Sequence, residues 1–398
     1  MSKVNKFELE WQNTLRILSD KNSDFSELDY FLKLADDYSK FHFGNKPKVV
    51  LPGLYFPDEI IRAMGIDFCY VCGGSYESTL SDCINLPKDT DDEIRSIVGI
   101  LKSDSLNLNK DDVILVPLCN DNMKKLKALV DDSVTAICYE VPSCKEDSLQ
   151  KDRFLNEIDR VTRELEKHFK KKLSSKILKE QCEISKQSAV TFCKLEKMFK
   201  ENKSGLSPSV FLFIANTYRM CKNKAEWTSH TECLIHQLST VNNSDSNSYP
   251  PIMLFGSQIF APDYKTLFAI EEKKLRLFSI IHPDIEHIRS LLNIDIKSVS
   301  VKYLASMYLD SDISPVYINN TELNDLVMNE INSNIIKGVI AFIIKGQIEH
   351  DFSFKTIEKL TENVKIPLIR IETVYSSYDI EQILLRLEAF AEMLNMSC

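Results

Sequence analysis

FCYVCGGSYESTLSDC, residues 68–83, and VILVPLC, residues 113–119, decide how the chain is read. Val113 to Leu118 is an unbroken apolar run of strand length, the pattern of a strand buried on both faces of a parallel sheet. Ile66 to Val71, broken only by Asp67, reads the same way, and each run is followed directly by a cysteine, Cys72 and Cys119. In open α/β sheets ligands sit outside the carboxyl ends of the strands, so both thiols fall where a bound group would be met. Gly73 and Gly74 let backbone approach a ligand closely, and Asn120-Asp121-Asn122 reads as a polar mouth. Free cysteine is also among the most buried residue types, and a role as small core hydrophobes stays open for all of these thiols. Cys69 and Cys72 form a CxxC pair, but in an extended run their side chains face opposite sides. Three thiols from separate loops, Cys72, Cys83 and Cys119, suit iron–sulfur ligation better than a structural zinc site, whose ligands come in close pairs.

Outward from this stretch, strand and helix alternate, which predicts parallel α/β layers. Lys48 to Leu51 is a strand closed by Pro52-Gly53, Tyr55 to Met64 a helix stopped by Gly65, and Val134 to Val141 a strand ended by Pro142. Two amphipathic helices, Phe7 to Leu18 and Ser26 to Phe41, precede them. Asp147 to Met198 is a long charged helical region whose ordinary reading is a solvated bridge. Gly205 and Pro208 break it before Val210 to Met220 resumes helical spacing, and NNSDSNSY, residues 242–249, is a linker. A second α/β unit follows, with strands expected at Ile252 to Phe255, Leu277 to Ile280, Gly338 to Ile344 and Ile366 to Ile371. Helices are expected over Asp263 to Lys274, Lys355 to Glu362 and Asp379 to Leu394. The expected fold class is α/β: two parallel-sheet, three-layer, flavodoxin-like domains with a helical N-terminal extension and a long helical connection. Its expected divisions are 1–45 helical, 46–150 first α/β domain, 151–245 connection and linker, and 246–398 second α/β domain.

With 398 residues the chain has enough length for two cores. A net charge of −9 and no basic cluster interleaved with aromatics argue against nucleic acid as a partner. No apolar stretch approaches the ~18 residues a membrane span needs, and MSKVNKFELEWQ has no signal-peptide pattern, so the expected location is cytoplasmic. Eleven irregularly spaced cysteines fit reduced thiols rather than a disulfide framework. GxGxxG, Walker A, HExxH and GxSxG patterns are absent from the sequence, so no nucleotide is expected to bind this chain. The seven histidines are scattered, and His230 and His236, six apart, do not share a helix face. Each reads as a surface or internally satisfied side chain. Trp227 and Glu232 read either as facing a cleft between domains or as part of a solvated helix face.

The order GIDFCYVCGG, SDCINLPKD, VILVPLCNDNMKKL, KGVIAFIIKGQIEHDFSF and IPLIRIETVYSSYDIEQILLRLEAFAEML resembles the 2-hydroxyacyl-CoA dehydratase family, which includes benzoyl-CoA reductase subunits and double-cubane-cluster proteins. The likeness runs from about Lys48 to Leu394. It implies a two-domain α/β protein with a [4Fe–4S] cluster in the cleft between domains, acting on an acyl-CoA or another small molecule. It also implies two partners: an ATP-dependent activator that supplies a low-potential electron, and a paralogous subunit or a second copy of the chain. In the dehydratases that electron makes a ketyl radical from which water can leave.

By this resemblance Cys83 and Cys119 fall on ligand positions, and Cys72 on the cysteine before Gly73-Gly74 of the double-cubane branch. The carboxy-terminal half departs from the pattern. Lys345-Gly346-Gln347 stands where relatives place a cysteine third, Ser314-Pro315 stands where many have Cys-Pro, and no cysteine lies between Cys233 and Cys398. A glutamine amide is a poor iron ligand beside a thiolate. Gln347 and Ser314 are nonetheless expected to line the cleft, with Gly73 and Gly74 beside the cofactor. Three readings follow: an iron–sulfur subunit using Cys72, Cys83 and Cys119, a cluster-free auxiliary subunit paired with a catalytic paralogue, and a double-cubane-type ATP-dependent reductase.

Overall fold

The computed structural model describes residues 6–21, 24–40, 46–75, 86, 90–102, 106, 108–130, 134–202, 205–240, 249–318, 320–333 and 335–396. Two four-stranded parallel sheets organise the chain. The first joins β1 (Lys48–Leu51), β2 (Asp67–Tyr70), β3 (Val113–Leu118) and β4 (Thr135–Glu140) in the order β2-β1-β3-β4. The second repeats that order with β5 (Pro251–Gly256), β6 (Arg276–Ile281), β7 (Gly338–Ile344) and β8 (Leu368–Thr373), arranged β6-β5-β7-β8. This is the flavodoxin-like arrangement expected, and its consequence is positional. The strand order switches sides between β1 and β3, and again between β5 and β7, and a crevice opens at the carboxyl ends of such strand pairs.

Burial explains the strand sequences. All seven residues of β7 are buried, as are the first five of β3, so each face of these strands meets helices and apolar side chains serve at every position. The register Ile252↔Gly338 to Gly256↔Phe342 sets β5 beside β7, which runs on two residues further to Ile344. Among the described residues no helix is long and apolar enough to cross a membrane.

The N-terminal helices Lys6–Lys21 and Leu28–Ser39 bridge the two α/β units. Trp11 is fully buried against Tyr38 and Phe260, with ring centroids 5.6 and 6.3 Å away. The Tyr38 hydroxyl donates to the Tyr70 carbonyl at 2.9 Å, and the Thr14 hydroxyl to the Pro262 carbonyl at 2.9 Å. The extension thus touches β2 of the first unit and the loop after β5 of the second.

The long charged region is two helices rather than one bridge. Ser148–Phe169 ends at Lys170, whose φ of 52° is left-handed, and Ser175–Lys200 restarts on the Ser174 cap. The second is a core element, burying Leu178, Cys182, Ala189, Phe192 and Leu195. Pro208–Met220 is buried from Ser209 to its end and lies between the N-terminal helices and the helix Pro283–Ser290. Trp227, on Lys224–Leu238, is fully buried with Nε1 donating to the Thr217 hydroxyl at 3.0 Å, and Glu232 accepts from Thr191 at 3.1 Å. Internal packing accounts for Trp227 and an inter-helix hydrogen bond for Glu232.

Candidate functional site

Both crevices open onto one cleft of about 140 Å³. Residues 52–55 after β1 and Cys119, Asn120 and Met123 after β3 form one wall, and Gly256, Gln258 and Gln347 from the ends of β5 and β7 face them. Residues 311–316, after the helix Val301–Ser311, close one side.

Of the expected site residues, Cys119, Ser314 and Gln347 line this cleft. Burial pushes the Cys119 thiol up to about 12, so it stands as a neutral thiol beside Tyr55. The Tyr55 and Ser314 hydroxyls are 3.2 Å apart. Ser314 is fixed by its loop: its N–H donates to Asp312 at 2.9 Å, and Asn320 Nδ2 donates to the Ile313 and Ser314 carbonyls at 2.7 and 2.8 Å. Asn120, read as part of a polar mouth, caps the helix Asp121–Leu129 by accepting from the Met123 N–H at 2.9 Å.

Gln347 ends the turn after β7, where Gly346 brings the backbone against Asp91. Its Nε2 donates to Glu93 Oε2 at 2.6 Å, while Oε1 is buried with no partner among the described residues. Glu93 lies in the first turn of Asp92–Leu101, a helix capped by Asp91, whose carboxylate accepts from the Ile94 N–H at 2.9 Å. The second unit docks on that helix start, since the Tyr375 N–H donates to Asp92 at 2.8 Å. Burial first, then the Asp91 charge, lifts the Glu93 carboxyl from 4.5 to about 7.

Replacing Glu93 with glutamine tests that environment. Between pH 4.5 and about 7 the folded chain keeps a proton on Glu93 that the unfolded chain releases, so stability falls as pH rises through this window. Glu93→Gln cannot titrate and retains an acceptor for Gln347. Relative to the parent it should gain about 1.4 kcal/mol per pH unit, reaching about 3 kcal/mol in mildly alkaline buffer. Denaturant midpoints that track the parent at every pH would contradict the assignment.

Cys72 stands behind the wall rather than on it. Its Sγ accepts from Arg219 Nη1 at 3.3 Å, and burial raises the thiol to about 11. Arg219, at the end of Pro208–Met220, also donates to Gln258 at 3.2 Å and pairs through Nε with Asp284. Protein atoms already crowd both glycines: a Cβ on Gly73 would meet the Tyr375 hydroxyl at 2.8 Å, and one on Gly74 the Phe260 carbonyl oxygen at 2.5 Å. Cys69 is buried within β2, and Cys83 lies outside the described residues.

A layer of buried charge underlies the cleft. Tyr308 donates to Glu59 at 2.8 Å, Ser185 to Glu59 at 2.7 Å, and Arg62 to Asp58 at 2.9 Å. Burial drives His287 down to about 3 and His350 to about 4, so both imidazoles at the cleft are neutral near pH 7. Glu93, Arg219, Asp312 and His287 are the site residues that sequence reasoning missed. The signals present were the acidic run Asp91-Asp92-Glu93 at a helix start and a lone arginine ending an apolar helix.

The [4Fe–4S] cluster implied by the family resemblance can be tested against these donors. Among the described residues no group of three His, Cys, Asp or Glu side chains could hold a metal ion, and Cys119 is the one described thiol on the cleft wall. The described donors do not make a cluster site.

A search of curated proteins finds no match to the chain. The model of the family described as 2-hydroxyglutaryl-CoA dehydratase, D-component, matches residues 53–394. That match takes in both sheets apart from β1 and every described lining residue of the cleft but Pro52, and the chain therefore belongs to the 2-hydroxyglutaryl-CoA dehydratase D-component family.

Proposed function

We propose that this chain is an auxiliary subunit of a 2-hydroxyacyl-CoA dehydratase-like enzyme, retaining the family's cleft and pairing with a paralogous subunit that carries the cluster. One observation carries this reading. At position 347, where relatives place a thiol, the side chain is an amide already committed to Glu93 at 2.6 Å. A bound cluster would supply one-electron chemistry at low potential. The residues of this chain would instead shape and orient: Tyr55 and Ser314 hold hydroxyls at the wall, and Glu93 holds a proton at its carboxyl. An activator would then act on the paralogue. The interface between subunits is expected to exceed the ~1,000 Å² of a specific contact.

A second reading, an iron–sulfur subunit using Cys72, Cys83 and Cys119, is favoured by the place of Cys119 on the cleft wall. Iron and acid-labile sulfide after anaerobic reconstitution separate the two. The auxiliary reading expects the chain alone to hold no cluster and Gln347→Cys to gain iron. A full cluster in the parent chain supports the second reading, and a Gln347→Cys variant with unchanged iron removes position 347 from the cluster site.

A further inference from the structure

We propose that the inner end of the cleft binds a primary ammonium group, with Gln347 Oε1, Glu93 and Glu349 as its acceptors. The proposal rests on the cleft being a ligand site and is independent of whether a partner carries a cluster. Its first support is the Gln347 amide, whose residue is 9% exposed. With Nε2 committed to Glu93, Oε1 is a buried acceptor without a donor among the described residues, in a side chain that lines the cleft. Leaving such an atom unpaired is costly, and a ligand donor would recover that cost.

The second support is the charge around it. Glu93, Glu286, Asp312 and Glu349 line the cleft, against the guanidinium of Arg219. Arg219 is already committed to Asp284, Cys72 and Gln258. Glu286 is answered by Arg289, and Asp312 accepts from Tyr317 at 2.8 Å. Neither Glu93 nor Glu349 is held in a close ion pair among the described residues; Glu93 accepts from the Gln347 amide, and Glu349 stands two residues beyond Gln347 in the first turn of the helix Ile348–Asn363. A carboxylate or phosphate entering here would meet like charge. A hydroxyl would fill one acceptor and leave the charge unanswered. An ammonium has three donors and no acceptor, which matches one amide oxygen and, above the pH of about 7 at which Glu93 gives up its proton, two carboxylates.

The test uses four-carbon probes of matched size on the full chain, in mildly alkaline buffer, followed by calorimetry or ligand-observed NMR. Butylamine is expected to bind about tenfold or more tighter than butanol, with butyrate weaker than either. Tetramethylammonium, a cation without N–H donors, is expected to bind about tenfold more weakly than butylamine. Gln347→Leu, which keeps the volume and loses Oε1, should weaken butylamine by about tenfold, and Glu349→Gln, at a half-buried position, should weaken it without affecting folding. Butanol or tetramethylammonium binding as well as butylamine, no butylamine binding at all, or Glu349→Gln binding it unchanged would each overturn the proposal. Iron found in the parent chain would overturn the auxiliary-subunit reading and leave this result standing.

Discussion

Replacing Arg219 with methionine is expected to lower folding stability by about 3–5 kcal/mol, the usual cost of removing one partner from a buried ion pair. Arg219 and Asp284 are both essentially buried, with side chains 3% and 1% exposed. Methionine nearly matches the apolar stem of arginine, so the loss lies in what the guanidinium was holding. Asp284 would keep one strong partner, Asn216 Nδ2 at 2.5 Å, while Cys72 and Gln258 would lose their donor. Burial already raises the Asp284 carboxyl and Arg219 opposes that rise. Without Arg219 the folded carboxyl climbs further above its unfolded value. The deficit should therefore be smallest in acid, where Asp284 is protonated in both states, and should grow as pH rises. Adding Asp284→Asn removes the orphaned charge, and the double variant should recover most of the loss. Urea midpoints for the single and double variants measure this. A single variant within about 1 kcal/mol of the parent, or a double variant no better than the single, would mean the pair is not coupled as its geometry indicates.

The parallel sheets could be read from the sequence because runs such as Val113–Leu118 and Gly338–Ile344 are buried on both faces and so carry no alternation. Edges were less legible. The last strand begins at Leu368 rather than Ile366, and Pro367, with no N–H to donate, accepts from the Val339 N–H just outside it. The helix Ser175–Lys200 resembled a solvated bridge because Ser185, Ser188 and Thr191 interrupt its apolar stripe. All three are fully buried, with hydroxyls paired to Glu59, Ile184 and Glu232 respectively, so small polar residues belong to the core there. The break at Lys170 gave no sign, since a lysine takes the left-handed position where glycine is usual. The site divides along similar lines. Cys119, Gln347 and Ser314 stand at or near element ends that the sequence marks. Arg219 acquires its meaning from Cys72, 147 residues away, and no local pattern reports a contact of that range.

The floor of the cleft yields the second large effect, at Gly256. This residue ends β5 beside β7 with φ at +131°, in a region side chains rarely adopt. A Cβ there would lie 1.9 Å from the Phe342 carbonyl oxygen, which is main chain and cannot rotate away. The same carbonyl accepts from the Ser257 N–H at 2.7 Å, and the Ser257 hydroxyl accepts from the Ile344 N–H at 2.9 Å, so the strands are tied together on each side of the contact. Gly256→Ala must distort the backbone and also push β7 aside. At about 1–3 kcal/mol for each, the expected loss is on the order of 4 kcal/mol. The displaced strand also carries Gln347 at its end, so ligand binding in the cleft should weaken more than folding alone explains. Gly65→Ala is the matched control: its φ of +63° is also left-handed, but a Cβ there meets nothing within 4 Å. Backbone conformation alone sets its cost, about 1–2 kcal/mol. Equal losses for the two variants would mean that the approach of β5 to Phe342 is looser than described, and that strand β7 can shift without disturbing the cleft.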